Sequence, residues 1–327
     1  MNYQDAYERF DALFENKLTE DEARALLIEL YERGENDEEI AAAAKVMREH
    51  SIKLDLSDSL RDEIIDVVGT GGDKSGTFNI STTTSIVLAS LGCKVAKHGS
   101  GSATSLSGSA DVLNALGLNL NLSVEKQIKM LEACGFVFMF AMNHHPCMKH
   151  IMPIRRSLSH RTIFNMLGPL ANPANAQKQM LGVFHVDYIE RFAKALQTLG
   201  TKKSLVLSSR DGLDEIGLSS TTRYIQIENN TMVEGEIDPQ ALGFKLSPLE
   251  AIKGGESEHN ANITRSILQG SERGAKRDVV LLNGACALMI DGRARDMQEG
   301  IEMMNEALDS KKAWDKLSEI IKLSYLI

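Results

Sequence analysis

Hydrophobic positions in the first fifty residues recur at helical spacing. Ala23, Leu26, Leu27 and Leu30 share one face of a helix opened by the capping box Thr19-Glu20-Asp21-Glu22. Gly34 ends that helix, and Asn36 and Asp37 open an alanine-rich one that runs through Met47. The pattern changes near residue 60, where Ile64–Val68 is the first continuous apolar, β-branched run. Beyond it, strand-like runs at 64–68, 93–96, 136–140, 203–207 and 223–227 are separated by helical stretches at 80–91, 124–133 and 188–199. That alternation predicts a mainly parallel sheet covered by helices. Residues 228–250 are turn-rich and predict short strands and loops, and 258–308 returns to helix with the apolar run Val279–Ile290. The chain therefore reads as α/β: a small N-terminal helical domain over 1–62, joined by a return segment near 145–165, and a larger domain over 63–327.

Composition narrows the class of function without deciding it. The 327 residues suffice for a large core and about two domains, and 43% hydrophobic with 25% charged residues is ordinary for a globular protein. A net charge of -9 argues against a general binder of nucleic-acid backbones, which needs a dense basic surface. Cys93, Cys134, Cys147 and Cys286 match no metal-ligand spacing and read as reduced thiols. The N-terminus lacks a basic region followed by an apolar one, and no apolar run approaches the ~18 residues of a membrane helix. The expectation is a cytoplasmic protein without membrane contact.

Chemistry concentrates in four segments. The first is Asp66–Thr84, a strand running through Gly69, Gly71 and Gly72 into hydroxyl residues at a helix start. Glycines let an anion approach backbone amides, and Asn79, Ser81 and Thr82 would place side-chain donors at the positive end of the helix dipole. The second, Lys97 to Asp111, is a glycine- and serine-rich loop that would lie beside the first at the carboxyl ends of adjacent strands, as a lid over a phosphate. The third, Arg210 to Glu215, offers Asp214 and Glu215 as hard oxygen ligands for Mg²⁺ bridged to phosphates. The fourth, Arg155 to Pro173, carries arginines able to pair bidentately with a carboxylate acceptor. The run His144-His145-Pro146-Cys147 suggests a zinc site, but adjacent histidines diverge and no partner pair is evident.

These pieces, in this order, resemble the anthranilate phosphoribosyltransferases of the tryptophan pathway. Gly69–Asp73, Asn79–Thr82, Arg161–Pro173 with its Gly-Pro-Leu-Ala-Asn-Pro, and Asp211–Glu215 carry the resemblance, which spans essentially the whole chain. It implies a homodimer related to the pyrimidine nucleoside phosphorylases, with the site between the helical and α/β domains. By position, Gly69, Gly72, Asp73, Thr77, Asn79, Ile80, Ser81, Thr82, Lys97, Ser105 and Ser109 would hold phosphoribosyl pyrophosphate. Gly69, His98, Ser100 and Arg155 would meet anthranilate, and Ser81, Asp214 and Glu215 would hold Mg²⁺, directly or through water.

The chain departs from the family loop, which reads Lys-His-Gly-Asn-Arg and later Ser-Lys-Ser-Gly-Ser. Ser100, Gly101 and Leu106 replace its Asn, Arg and Lys. Two positive charges are thereby lost, and charge-assisted contacts are worth ~1.5–3 kcal/mol each, so weaker donor binding and a looser loop at 99–106 are expected. Two further readings stay open: a pyrimidine nucleoside phosphorylase-like enzyme, and a non-catalytic, nucleic-acid-binding member of the fold.

Overall fold

The computed structural model describes residues 1–102 and 106–327. Its sheet has seven strands: β1 Ile64–Gly69, β2 Lys94–Gly99, β3 Phe136–Phe140, β4 Lys178–Gly182, β5 Lys203–Ser209, β6 Thr222–Glu228 and β7 Thr231–Ile237. Their order is β3-β2-β1-β4-β5-β6-β7, parallel from β3 to β5, with β6 and β7 antiparallel at one edge. The chain winds outward from β1 to β3, then returns to the other side of β1 with β4. This reversal opens a crevice between β1 and β4, where ligands of open α/β sheets bind.

The expected α/β architecture is present. Both faces of the central strands are buried, as helix-covered parallel strands require. Side chains alternate between two cores: Ile65, Val67, Met180, Leu205 and Leu207 face the helices Ile80–Ser90 and Ala275–Asp291. Leu181, Val183 and Val206 face the other way, toward the N-terminal helices. Those helices are Tyr3–Phe14, Glu20–Arg33 and Asp37–Glu49, and the last two start where the sequence placed starts, with capping boxes at Thr19 and Asn36. Ile151, Ile154, Ile163 and Phe164 pack into the same bundle core. Ile151 and Ile154 belong to the helix Met148–Arg156.

Two features differ from expectation. The strand β4 was not foreseen: Lys-Gln-Met-Leu-Gly has no β-branched residue, so only its position between β1 and β5 makes it a strand. The second strand runs to Gly99 rather than stopping at 96, so Lys97 and His98 belong to the sheet and not to the loop. Their neighbours β1 and β3 pair with both sides of the backbone, which local sequence cannot reveal. Among the described residues, no helix is long and apolar enough to cross a membrane.

Candidate active site

The crevice floor is built on two paired glycines. Gly69 ends β1 directly beside Gly182 at the end of β4. A Cβ on Gly182 would come within 1.5 Å of the Asp214 carbonyl oxygen, and one on Gly69 within 2.3 Å of Asp214 Oδ2. Only residues without side chains let the loop after β5 lie across both strand ends. Gly71 and Gly72 then turn the backbone through φ of 67° and 81°. The turn aims the Gly71 amide at Asp214 Oδ2, 2.7 Å away.

The helix Ile80–Ser90 begins at the same crevice. Asn79 precedes it but does not cap it: its Nδ2 donates to the Ser107 carbonyl at 3.2 Å, and its Oδ1 accepts from Asn260 at 3.0 Å. The amide of Ser81 donates instead to Glu215 Oε1 at 3.0 Å. Asn260 is a neighbour of the candidate site that the sequence did not point to, since the contact depends on residues 252–260 folding back over 76–80. Gly254 donates to the Gly76 carbonyl, Phe78 to that of Ile252, and Thr77 bridges to Lys253.

Lys97 was expected as a loop cation and is instead a buried strand residue, 1% exposed. Its Nζ donates to the Val67 carbonyl at 2.7 Å and to Ser81 Oγ at 3.2 Å. Burial lowers its pKa, opposed by the charges of Asp66, Glu215 and Asp214. Burial, then Asp73, pushes Asp214 up to about 7, and burial, then Asp214 and Asp73, raises Glu215 well above its ordinary value. Asp66, Asp214 and Glu215 thus crowd the buried Lys97 ammonium, with Asp73 adding negative charge beside Asp214 and Glu215.

The donor set fits a hard divalent cation. Asp73 Oδ2 and Glu215 Oε2 are buried without a hydrogen-bond partner, and Ser81 Oγ lies beside Lys97. No group of three or more His, Cys, Asp or Glu in ligating arrangement occurs among the described residues. Mg²⁺ suits such a site, because it keeps several waters and takes further oxygens from phosphates.

A second wall of the crevice is formed by Gly168, Pro169 and Asn172. Asn172 Nδ2 donates to Asp66 Oδ2 and to the Ala96 carbonyl, both at 2.8 Å, and Gln179 donates to the Pro169 carbonyl at 2.6 Å. His98 Nδ1 lies 3.0 Å from the Gly168 carbonyl, and its Nε2 lies 3.2 Å from His145 Nε2. Burial holds both rings far below the ordinary histidine pKa, His98 at about 3 and His145 at about 4. His145 is thus a site neighbour that the sequence had offered only as a zinc ligand. His144 diverges from it, its Nδ1 lying 2.7 Å from the Ile52 carbonyl.

Arg155 closes the helix Met148–Arg156 and lies 5.3 Å over the Phe164 ring, with Met152 Sδ at 3.5 Å. No carboxylate pairs with it among the described residues, and burial lowers its pKa. Ser100 and Ser109 lie where β2 gives way to the next helix: the Ala110 amide donates to the Ser100 carbonyl at 3.1 Å. Asp111 Oδ2 accepts from Ser102 and Gly108, each at 2.8 Å, clasping the two ends of the loop. Leu106 is 73% exposed. Ser105 lies outside the described residues. Gly69, Asp73, Ser81, Lys97, Asp214 and Glu215 therefore converge, with Gly72, Thr77, Asn79, Ile80 and Thr82 around them, whereas Arg155 stands apart on the helical side.

The chain is similar in sequence and fold to known proteins over nearly its whole length. Residues 1–51 match a family described as glycosyl transferase family, helical bundle domain, and residues 61–314 match its a/b domain. The anthranilate phosphoribosyltransferase of Xanthobacter autotrophicus is 44% identical, covering 96% of this chain and 90% of the relative. That of Aquifex aeolicus is 40% identical over 98% and 94%. The Thermus thermophilus enzyme superposes with a TM-score of 0.93 at 38% identity, over 99% and 96% of the two chains. The Saccharomyces cerevisiae enzyme, solved in complex with PRPP and Mg, superposes with a TM-score of 0.90 at 26% identity, over 100% and 94%. In sequence and in fold, over nearly its whole length, this chain belongs to the anthranilate phosphoribosyltransferase family.

Proposed function

We propose that this protein transfers the phosphoribosyl group from phosphoribosyl pyrophosphate to the amine of anthranilate, releasing pyrophosphate, in tryptophan biosynthesis. The observation that carries the reading is the crossing of Asp214 and Glu215 over the Gly71 and Ser81 amides, with Lys97 buried beneath. Turn amides and a helix N-terminus favour phosphates, and the adjacent carboxylates provide for the cation that phosphates bring. Gly69, Gly72, Asp73, Thr77, Asn79, Ile80, Ser81, Thr82, Lys97 and Ser109 are assigned to the donor. Ser81, Asp214 and Glu215 are assigned to Mg²⁺, which supplies charge neutralisation for the departing pyrophosphate.

The mechanism follows from charge. Cleavage of the bond between ribose C1 and pyrophosphate leaves an oxocarbenium-like sugar and an anionic leaving group. Lys97 and the glycine-turn amides stabilise that anion where it develops. Arg155, with no carboxylate paired to it among the described residues, takes the anthranilate carboxylate and with His98, Ser100 and Gly69 orients the amine toward C1. Positioning turns a bimolecular encounter into a local one. The attacking amine is neutral and sheds its proton after the bond forms, so no side chain acts as a strong base. The two neutral histidines suit a wall that orients an aromatic acid without competing for its charge.

The remaining parts of the reading rest on family likeness: a homodimer in the cytoplasm, with a helical domain over 1–62 and a donor-binding domain over 63–327. The test is steady-state loss of anthranilate fluorescence with phosphoribosyl pyrophosphate and Mg²⁺. Turnover that disappears on adding chelator and returns with Mg²⁺ supports it. Release of free base from uridine and phosphate, with no consumption of anthranilate, would instead favour a phosphorylase.

A further inference from the structure

One cation outside the crevice is held more elaborately than a structural ion pair requires. Arg161 places its guanidinium 5.7 Å over the Tyr31 ring, 5.4 Å over Phe184 and 5.2 Å over Tyr188. Its Nη1 and Nη2 fork onto Glu35 at 3.3–3.5 Å, and Nη2 also donates to Tyr188 Oη. Glu35 is fully buried, so the contact is determined on both sides: a buried carboxylate without its cation is strongly disfavoured. Tyr31 belongs to the helix Glu20–Arg33 and Glu35 to the link that follows it, while Phe184 and Tyr188 follow β4. A single planar side chain therefore fastens the helical bundle to the exit of a central strand.

That strand exit leads to the glycine turn. The Phe184 amide donates to Thr70 Oγ1 at 3.1 Å, and the Thr70 amide donates to the Gly182 carbonyl at 2.9 Å. Thr70 immediately precedes Gly71, whose amide holds Asp214. On the bundle side the Glu35 carbonyl is held separately by Arg191 Nη1 at 2.7 Å. Losing the Arg161 guanidinium thus takes the cation off the Phe184 ring, which keeps only its contact with Tyr188 at 4.8 Å and its packing on the bundle core, while the Glu35 backbone stays tethered.

We propose that Arg161 is a positioning residue for the phosphate donor, acting through Phe184 and Thr70 on the turn 69–73. The proposal rests on the donor-binding reading of that turn. Arg161 touches no reacting atom; it sets where Thr70 sits, and through it the direction of the Gly71 amide.

The test is a double-mutant cycle read by calorimetry of phosphoribosyl pyrophosphate with Mg²⁺ on the whole protein. Arg161→Lys keeps the charge for Glu35 but loses the fork and the stacking, and Thr70→Val keeps the shape but loses the acceptor. Each is expected to weaken donor binding about tenfold, equivalent to about 1.4 kcal/mol. The pair together should weaken it no more than the worse single variant, because both break one chain of contacts. A double variant weakened by the product of the two effects, or an Arg161→Lys protein that binds the donor like the parent, would overturn the proposal. Tyr188→Phe, which removes only the hydroxyl partner, replaces Arg161→Lys in the cycle if the latter does not fold. Amide hydrogen exchange at residues 69–73 in the ligand-free protein separates this proposal from the functional reading beneath it. A parent that fails to bind the donor would sink that reading. Unchanged exchange in Arg161→Lys would sink the role of Arg161, and faster exchange confined to the turn would support it.

Discussion

Glu215 Oε1 accepts the amide of Ser81 at 3.0 Å across 134 residues of sequence. This contact puts a carboxylate at the positive end of the helix Ile80–Ser90, where a phosphate would also be favoured. Two anions can share that end when a divalent cation lies between them. Under the proposed function, the pairing would tie metal requirement and phosphate recognition to one helix terminus.

Gly182 and Gly69 should fail differently when given a side chain. A Cβ on Gly182 meets the backbone of Asp214, which cannot rotate away, whereas one on Gly69 meets its carboxylate. Gly182→Ala should lower stability by about 2–4 kcal/mol, within the range of severe packing mutations. Gly69→Ala should stay folded yet need at least about tenfold more Mg²⁺ for half-maximal turnover, about 1.4 kcal/mol in binding. Thermal melts and Mg²⁺ titrations of the two variants decide; equal melting points would contradict the distinction.

Asp214 gives the ligand-free protein an unusual pH dependence. Its folded-state pKa, pushed up to about 7 by burial, exceeds the unfolded value of about 4, so the folded chain binds more protons in between. The stability this group contributes is present below that window and is lost as pH rises through 7. Asp214→Asn should flatten the decline of the melting point between about pH 5 and about pH 7 in chelator, inside the interval between the unfolded and folded values. An unchanged slope would show that the carboxylate is not the group responsible.

The histidine pair acts in the opposite sense. Burial holds His98 at about 3 and His145 at about 4, below the unfolded value of about 6.5, so unfolding takes up protons in that interval. Stability from these rings is complete above about 6.5 and is lost as pH falls, by up to about 1.4 kcal/mol per pH unit for each. His145→Gln should therefore lose less stability between pH 7 and pH 5 than the parent, a comparison set by the same interval. Equal losses in urea melts would refute it.

No carboxylate pairs with Arg155 among the described residues, and under the proposed function its charge would meet the acceptor. Arg155→Gln should raise the KM for anthranilate about ten- to a hundredfold, the worth of a charge-assisted pair, while the donor KM changes little. Anthranilate titrations at saturating donor read this directly. A rise in the donor KM alone would move Arg155 out of the acceptor site.

The loop after β2 carries the last prediction. Ser100→Asn, Gly101→Arg and Leu106→Lys together restore two positive charges, and Leu106 already points largely into solvent. The triple variant should bind phosphoribosyl pyrophosphate about ten- to a hundredfold more tightly, less so at high salt. Calorimetry showing no gain would mean these substitutions do not weaken the donor site.

Local chemistry was enough for much of this protein. The capping boxes at Thr19 and Asn36 fixed helix starts, because a cap and its partner lie within four residues. The apolar run Ile64–Val68 and the glycines after it marked the first strand and its turn, and the carboxylate pair Asp214-Glu215 was visible as a candidate for metal. What local chemistry could not give was which strand ends meet. β4 has no β-branched residue and is a strand only because β1 and β5 pair with it, and that insertion creates the crevice. Lys97 looked like a loop cation until its neighbours buried it, and Asn260, His145 and Arg161 gained their roles from partners far along the chain. Periodicity and capping are short-range forces written in adjacent residues. Crevice, burial and shifted pKa values come from desolvation by distant chain, which only the folded arrangement of the sheet determines.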